Sequence, residues 1–324
     1  TNANKYSDGR DIEHIYIQGK EIDMLKVESM KIEFTKGDTE FLYVFGFNPD
    51  FATKNFVNFY KGLPIIESQL KLGFIIDSQS FGIDNSRQRI ITEKEKVENQ
   101  LTEAFTILKK QLLELKDTNR ELFTYIYKSL AYSSLYNIPD SASYVKGAFR
   151  TVFVPFFKEY YLSLDGNFYK SEDVINPAEE DEDYRLPLES IGVSKHWASP
   201  DISAKLHTYL GIDVQNLTID EVLELSDEED MTEWIKSLSE DDYKSYHNYC
   251  LRHLEGIEEF SLFRSNNNNV YSYDEITGDD NILYCTDTEN VVYNDIEYIV
   301  EPLFDIAPDD YYRSLYGKLK KNVA

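Results

Sequence analysis

From Glu93 to Leu115 the apolar residues Val97, Leu101, Phe105, Leu108, Leu112 and Leu115 recur at three- and four-residue steps. That spacing lines one side of an α-helix, so the segment is expected to lie on a core along its whole length. Arg120 to Leu135 repeats the device with Leu122, Ile126 and Leu130. Two helices with one apolar stripe each need a partner layer to cover them.

The preceding residues offer that layer. His14 to Gln18 is strand-like and meets Gly19-Lys20, a hairpin turn. Met30 to Phe34 alternates, and Gly37-Asp38 separates it from a second run, Phe41 to Phe47. Asp50 is placed to cap a helix reaching Tyr60, with Ala52, Phe56 and Phe59 on its apolar side and Gly62-Leu63-Pro64 as its stop. Leu72 to Ile76 reads as a buried strand.

Asn137-Ile138-Pro139-Asp140 breaks the helical pattern, and a domain boundary is expected near residues 137–147. The expected fold class is mixed α+β and α/β in two domains, 1–140 and 141–324. The second opens with the apolar run Phe149 to Phe157, interrupted by Pro155. Leu164 to Tyr169 is a turn between short strands with Asp165-Gly166 at its tip. Ser171, followed by Glu172 and Asp173, suits a helix N-terminus, and the acidic run Glu179 to Asp183 reads as a solvated loop. Thr218 and Glu221 make a capping box, and another helix is expected over Asp241 to Leu254.

An internal echo links Phe156-Phe157, Leu164 to Tyr169 and Ser171 to Val174 with Leu262-Phe263, Asn267 to Tyr271 and Tyr273 to Ile276. A duplicated hairpin-plus-helix unit is the expectation, with Asn266 to Asn269 as a loop tip.

The net charge is −26, which repels phosphate backbones and anionic headgroups, so neither nucleic acid nor membrane is an expected partner. Lys318, Lys320 and Lys321 are one candidate for a local basic strip, read as a solvated tail. Cys250 and Cys285 are the two cysteines, far short of a disulfide framework. With no signal-peptide core and no apolar run of spanning length, the cytoplasm is the expected location. The chain begins without Met, and it is expected to be part of something longer.

Self-sufficient catalytic motifs are missing: no phosphate-cradling glycine loop, no paired-His zinc signature, no nucleophile elbow, no calcium loop. His247, Cys250 and His253 stand at three-residue steps that zinc accepts, but Tyr243, Tyr246, Cys250, Leu254 and Ile257 read more simply as a core stripe. No metal is expected. Asp227 to Asp230 and Glu240 to Asp242 lack the spacing of a calcium site and read as solvated faces. Asp77, Asp84 and Glu93 are acids without an evident catalytic partner.

One segment carries more. Ile76-Asp77-Ser78 is followed by Ile83-Asp84-Asn85-Ser86-Arg87-Gln88 and then by the long amphipathic helix. This order and spacing resemble the region after the ATP site in GHKL-type ATPases, the superfamily of gyrase, the ninety-kilodalton heat-shock chaperone, histidine kinases and MutL. Leu63-Pro64, Val154-Pro155 in a proline-containing strand, and the Asp165-Gly166 hairpin are similar to the sacsin-like members. The resemblance implies that residues 1–140 are a middle domain of this kind. It implies that Arg87 reaches the γ-phosphate held by an upstream ATP-binding domain, with Asn85, Ser86 and Arg89 as neighbouring contacts. A guanidinium is always charged and forks onto phosphate oxygens, which fits that role. The family's helical glutamine falls here on Ile91, a departure.

The ATP-binding half, with its Asn-bearing helix, Asp-x-Gly-x-Gly turn and Gly-rich lid, is not in this sequence. ATP and Mg are therefore expected only in the upstream domain, and the chain is not expected to be an enzyme alone. Its expected partners are that domain and a protein partner or client. The competing expectations are a Tyr-rich protein-interaction module unrelated to nucleotide, and an accessory subunit of a hydrolase.

Overall fold

The stripe of residues 97–115 becomes one helix with every stripe residue at 0–1 % exposure. The computed structural model describes residues 4–5, 11–19, 22–33, 40–45, 56–61, 63, 65, 69–70, 72–86, 88–133, 135, 138, 142–178, 185–253, 260–278, 283–285 and 297–300. They form a mixed α+β structure that divides into two compact units, Thr1–Glu172 with Ala198–Val214, and Asp173–Trp197 with Gln215–Ala324.

In the first unit the strands are β1 (Asn4–Lys5), β2 (Asp11–Gly19), β3 (Ile22–Glu33), β4 (Glu40–Phe45), β5 (Phe56–Val57), β6 (Phe59–Tyr60), β7 (Gln69–Leu70) and β8 (Phe74–Ser78). Six of them make one sheet in the order β1-β2-β3-β4-β8-β6, while β5 pairs with β7. The β2–β3 hairpin turns at Gly19↔Ile22, where the sequence puts its turn. β8 lies between β4, antiparallel, and β6, parallel.

The helix expected up to Tyr60 does not extend over residues 56–60, where two short strands flank Asn58; its start at Asp50 lies outside the described residues. Phe56 and Phe59 fit a helix face by spacing, but Asn58 decides otherwise. It is fully buried and donates its side-chain amide to the carbonyls of Leu72 and Phe74 at 3.3 and 2.7 Å, while its own carbonyl accepts from Ile76 N–H. A buried amide needs these partners, and extended backbone lets Asn58 bracket β6 to β8.

Helices α1 (Lys94–Thr118), α2 (Arg120–Ala131) and α3 (Ser143–Glu159) cover the sheet's core residues. A single residue, Asn119, ends α1 and starts α2: its N–H donates to Leu115 O at 2.7 Å and its side chain accepts from Leu122 N–H at 3.1 Å. The apolar run Phe149–Phe157 is helix, not a proline-containing strand. Val145, Ala148, Phe149, Val152, Phe153, Phe156 and Phe157 all face the core at helical steps. Pro155 is on the exposed face, where water solvates the carbonyl whose helical donor is missing. Phe74 of β8, Phe105 of α1 and Phe149 of α3 meet at 5.1–6.0 Å between ring centroids, one stacked pair and two edge-on. Because α3 packs on α1 in this way, the expected boundary near 137–147 does not coincide with the observed division after Glu172.

The first unit ends in a hairpin, β9 (Tyr161–Leu162) and β10 (Phe168–Tyr169), turning at Asp165-Gly166 as expected, and in α4 (Pro200–Lys205) with a π-helical turn over Leu206–Leu210. Ser171–Asp173 is a 3-10 turn, not a helix start.

The second unit holds β11 (Val174–Pro177), β12 (His196–Trp197) and β13 (Gln215–Leu217) as a parallel three-stranded sheet. Helices α5 (Ile219–Glu224), α6 (Glu228–Ser237) and α7 (Glu240–His253) follow. Thr218 and Glu221 form the full capping box, and Asp227 caps α6. Its last elements are the hairpin β14 (Ser261–Arg264) and β15 (Val270–Ser272), α8 (Tyr273–Gly278), and the parallel pair β16 (Leu283–Cys285) and β17 (Tyr298–Val300). Cys250 and His247 are fully buried in its core, the His247 ring 5.1 Å from Phe263 and 5.6 Å from Tyr243. Among the described residues no three metal-capable side chains gather, and no helix is long and apolar enough to cross a membrane. The acidic run 179–183, the side chain of His253 and Lys318 to Lys321 lie outside the described residues.

Candidate functional site

The segment between β8 and α1 is a small hairpin-like loop with a polar tip. Phe74, Ile75 and Ile76 bury β8, and Phe81 behind it is 1 % exposed with its ring edge-on to Phe59. From there the chain leaves the core. Ile91 N–H donates to Gly82 O at 2.8 Å, Ile83 and Ile90 form an antiparallel bridge, and Gly82 N–H donates to Thr92 Oγ at 2.6 Å. These contacts zip residues 82–84 against 89–92 and leave Asn85, Ser86 and Gln88 exposed.

Asp84 organises the tip. Its carboxylate accepts from Ser86 Oγ at 2.8 Å, Gln88 N–H at 2.8 Å and Arg89 N–H at 3.4 Å, and Arg89 Nε lies 3.8 Å away. The Ser86 hydrogen bond first, helped by the two backbone donors and the Arg89 charge, holds the Asp84 carboxyl below its ordinary range against the opposing cost of desolvation. Asp84 thus braces the tip as an anion.

Of the four residues carried by the resemblance, Asn85 and Ser86 are exposed at the tip and Arg89 is exposed on its return arm. Arg87 lies outside the described residues, between Ser86 and Gln88. Arg89 engages Asp84 through Nε with its side chain 67 % exposed.

Two anchors fasten the loop's base. Lys61 Nζ donates to Phe81 O at 2.7 Å, and Gln100 of α1 donates to Ser80 Oγ, which also pairs with Ser78 Oγ at 2.6 Å. Nothing in the sequence pattern singled out Lys61, Thr92 or Gln100. The nearest signal was Gly82 and Thr92 flanking a polar stretch of hairpin length. Asp77 is in register with Tyr60 across β8 and β6, and Glu93 pairs with Lys96 at 2.9 Å on the surface. Burial, with Asp77 adding to it, raises the Tyr60 hydroxyl to about 12.

Leu63 and Ile91 are 56 % and 61 % exposed, and the Lys61–Phe81 and Ile91–Gly82 hydrogen bonds tie their segments to the same residues, 81–82. The loop therefore offers polar donors at its tip and exposed apolar side chains at its base. Comparison with family models, curated proteins and solved structures finds no match to this chain.

Proposed function

We propose that this chain is the non-nucleotide-binding portion of a chaperone-like GHKL ATPase, working in the cytoplasm. In this reading residues 1–140 act as the middle domain and Arg87 reaches the γ-phosphate bound by an upstream domain. Residues 141–324 then carry a surface for a partner or client. The observation that carries the reading is the braced loop 82–92. It stands between a buried strand and a long core-facing helix, with Asn85, Ser86 and Arg89 outward and Asp84 as its internal staple. Positioned guanidinium groups are what phosphoryl transfer asks of a second domain, since charge stabilisation there is the main catalytic task. The exposed Leu63 and Ile91 at the loop's base favour a protein, not a free small molecule, as what meets this end.

ATP turnover by the parent protein tests the reading. Arg87→Ala lowers turnover by about 10³-fold, the scale of arginine-finger losses, and Arg87→Lys does not restore it because a point charge cannot fork. Turnover unchanged by Arg87→Ala, or a parent without an ATP-binding module, rejects it.

A further inference from the structure

The β9–β10 and β14–β15 hairpins correspond residue by residue at a constant interval, Ser163 to Ser265, Gly166 to Asn268, Asn167 to Asn269 and Tyr169 to Tyr271. Their backbones close alike. Ser163 N–H donates to Asn167 O at 2.9 Å and Gly166 N–H to Ser163 O at 3.1 Å; Ser265 N–H donates to Asn269 O at 2.8 Å and Asn268 N–H to Ser265 O at 2.9 Å. The third turn residue is left-handed in both, Gly166 at φ 80° and Asn268 at φ 62°. Each serine also makes an antiparallel bridge to a later segment, Ser163 to Ala198 and Ser265 to Ile299.

Both turns are organised by one carboxylate with the same three partners. Asp165 accepts from Ser163 Oγ, from Asn167 Nδ2 at 2.7 Å and from Tyr169 Oη at 3.1 Å. Glu297 accepts from Ser265 Oγ at 2.6 Å and Asn269 Nδ2 at 2.8 Å, and it hydrogen-bonds Tyr271. The source differs. Asp165 belongs to its own turn, whereas its counterpart in the second hairpin is the neutral Asn267, and the carboxylate arrives from the residue that precedes β17.

We infer that the two hairpins are copies of one module and that Glu297 replaces, from outside the turn, the carboxylate that the second copy carries as Asn267. The first hairpin is self-contained. The second is a latch: the contact that orders its turn also fastens the start of β17, so opening it loosens both, with β17 then held by β16 and the Ser265–Ile299 bridge.

Site-resolved amide exchange on the full chain tests this. Glu297→Ala speeds exchange about tenfold or more at Asn268, Asn269 and Tyr298–Val300, the scale expected for losing charge-assisted hydrogen bonds. Adding Asn267→Asp to that variant restores protection at Asn268 and Asn269, because the turn regains a carboxylate, but leaves Tyr298–Val300 fast. Asn267→Asp alone, which keeps Glu297 but gives its partners a rival, speeds exchange at Tyr298–Val300 only. Asp165→Asn speeds exchange at Gly166 and Asn167 and leaves Ala198 unchanged. Unaltered exchange at Tyr298–Val300 in both Glu297→Ala and Asn267→Asp overturns the latch. Failure of Asn267→Asp to restore the turn overturns the equivalence of the two carboxylates.

Discussion

Arg264 leaves β14 and makes three kinds of contact at once. Its Nη1 donates to Leu238 O at 2.7 Å beyond the C-terminal end of α6, its Nη2 meets Glu240 at 2.8 Å, and its guanidinium lies 4.5 Å from the centre of the Tyr243 ring. The Arg264 side chain is 9 % exposed, so its hydrogen bond to the Leu238 carbonyl is made largely out of water. Arg264→Ala should therefore cost about 2 kcal/mol or more, read as a lower denaturant midpoint, and Arg264→Lys should recover little of it. At Asp165 burial opposes ionisation, but hydrogen bonds from Ser163, Asn167 and Tyr169 prevail and bring the carboxyl to about 2. Because that group is depressed, what it contributes is present above the ordinary carboxylate range and is lost only as pH falls through about 2. A carbon-detected titration of Asp165 should show its midpoint there, and a midpoint near 4 would count against the three-donor turn.

Among the elements, β8 depends on one close approach. A Cβ at Gly73 would come within 2.5 Å of the Ser129 carbonyl oxygen in α2, while Gly73 N–H already donates to Ser133 Oγ at 2.9 Å. Gly73→Ala must move backbone on one side or the other, and a loss of about 1–3 kcal/mol in unfolding free energy is expected. Pro155→Ala acts in the opposite sense. It restores a helical donor on the exposed face of α3, so the melting temperature should rise, by some part of the ~3 kcal/mol that separates Pro from Ala in a helix interior. These elements differed in how far they could be read beforehand. α1 and the Thr218 capping box were plain because their patterns are local and long enough to exclude a strand. The run ending at Phe157 was not, since a short apolar stretch with a proline fits a buried strand as well, and the decisive residues, Val145 and Ala148, stand upstream of it. The 3-10 turn at Ser171 has a similar cause. In the second copy Ser272 N–H donates to Glu275 and Glu275 N–H returns to Ser272 Oγ, starting α8, whereas the equivalent first-copy position is Lys170, whose side chain has no oxygen to accept.

For the molecule as a whole, a net charge of −26 means mutual repulsion that compaction must overcome. Raising ionic strength from ~0.01 M to ~0.15 M should shift the thermal midpoint up by a few degrees, as the screening length shortens to about 8 Å. At alkaline pH the tyrosines take over. Burial pushes Tyr144 to about 12, as burial and Asp77 do for Tyr60, so both hold their protons more tightly folded than unfolded. Their contribution is intact below about pH 10 and disappears as pH rises toward 12, so the share of tyrosinate absorbance lost in Tyr60→Phe and Tyr144→Phe variants should be the share that appears together with unfolding. The candidate site was legible only as an order of motifs. The staple at Asp84 and the anchors at Lys61, Thr92 and Gln100 arise from chain reversal, which linear spacing does not reveal.

The path from Gly73 to Ser133 closes on itself: out along β8, through the loop, down α1, across Asn119 and back along α2 to the residue where it began. A single residue joins the two helices, so load placed on Asn85 and Ser86 runs along α1, turns at Asn119 and comes back through α2 toward the strand that holds the loop. Both ends of that strand are thereby loaded together.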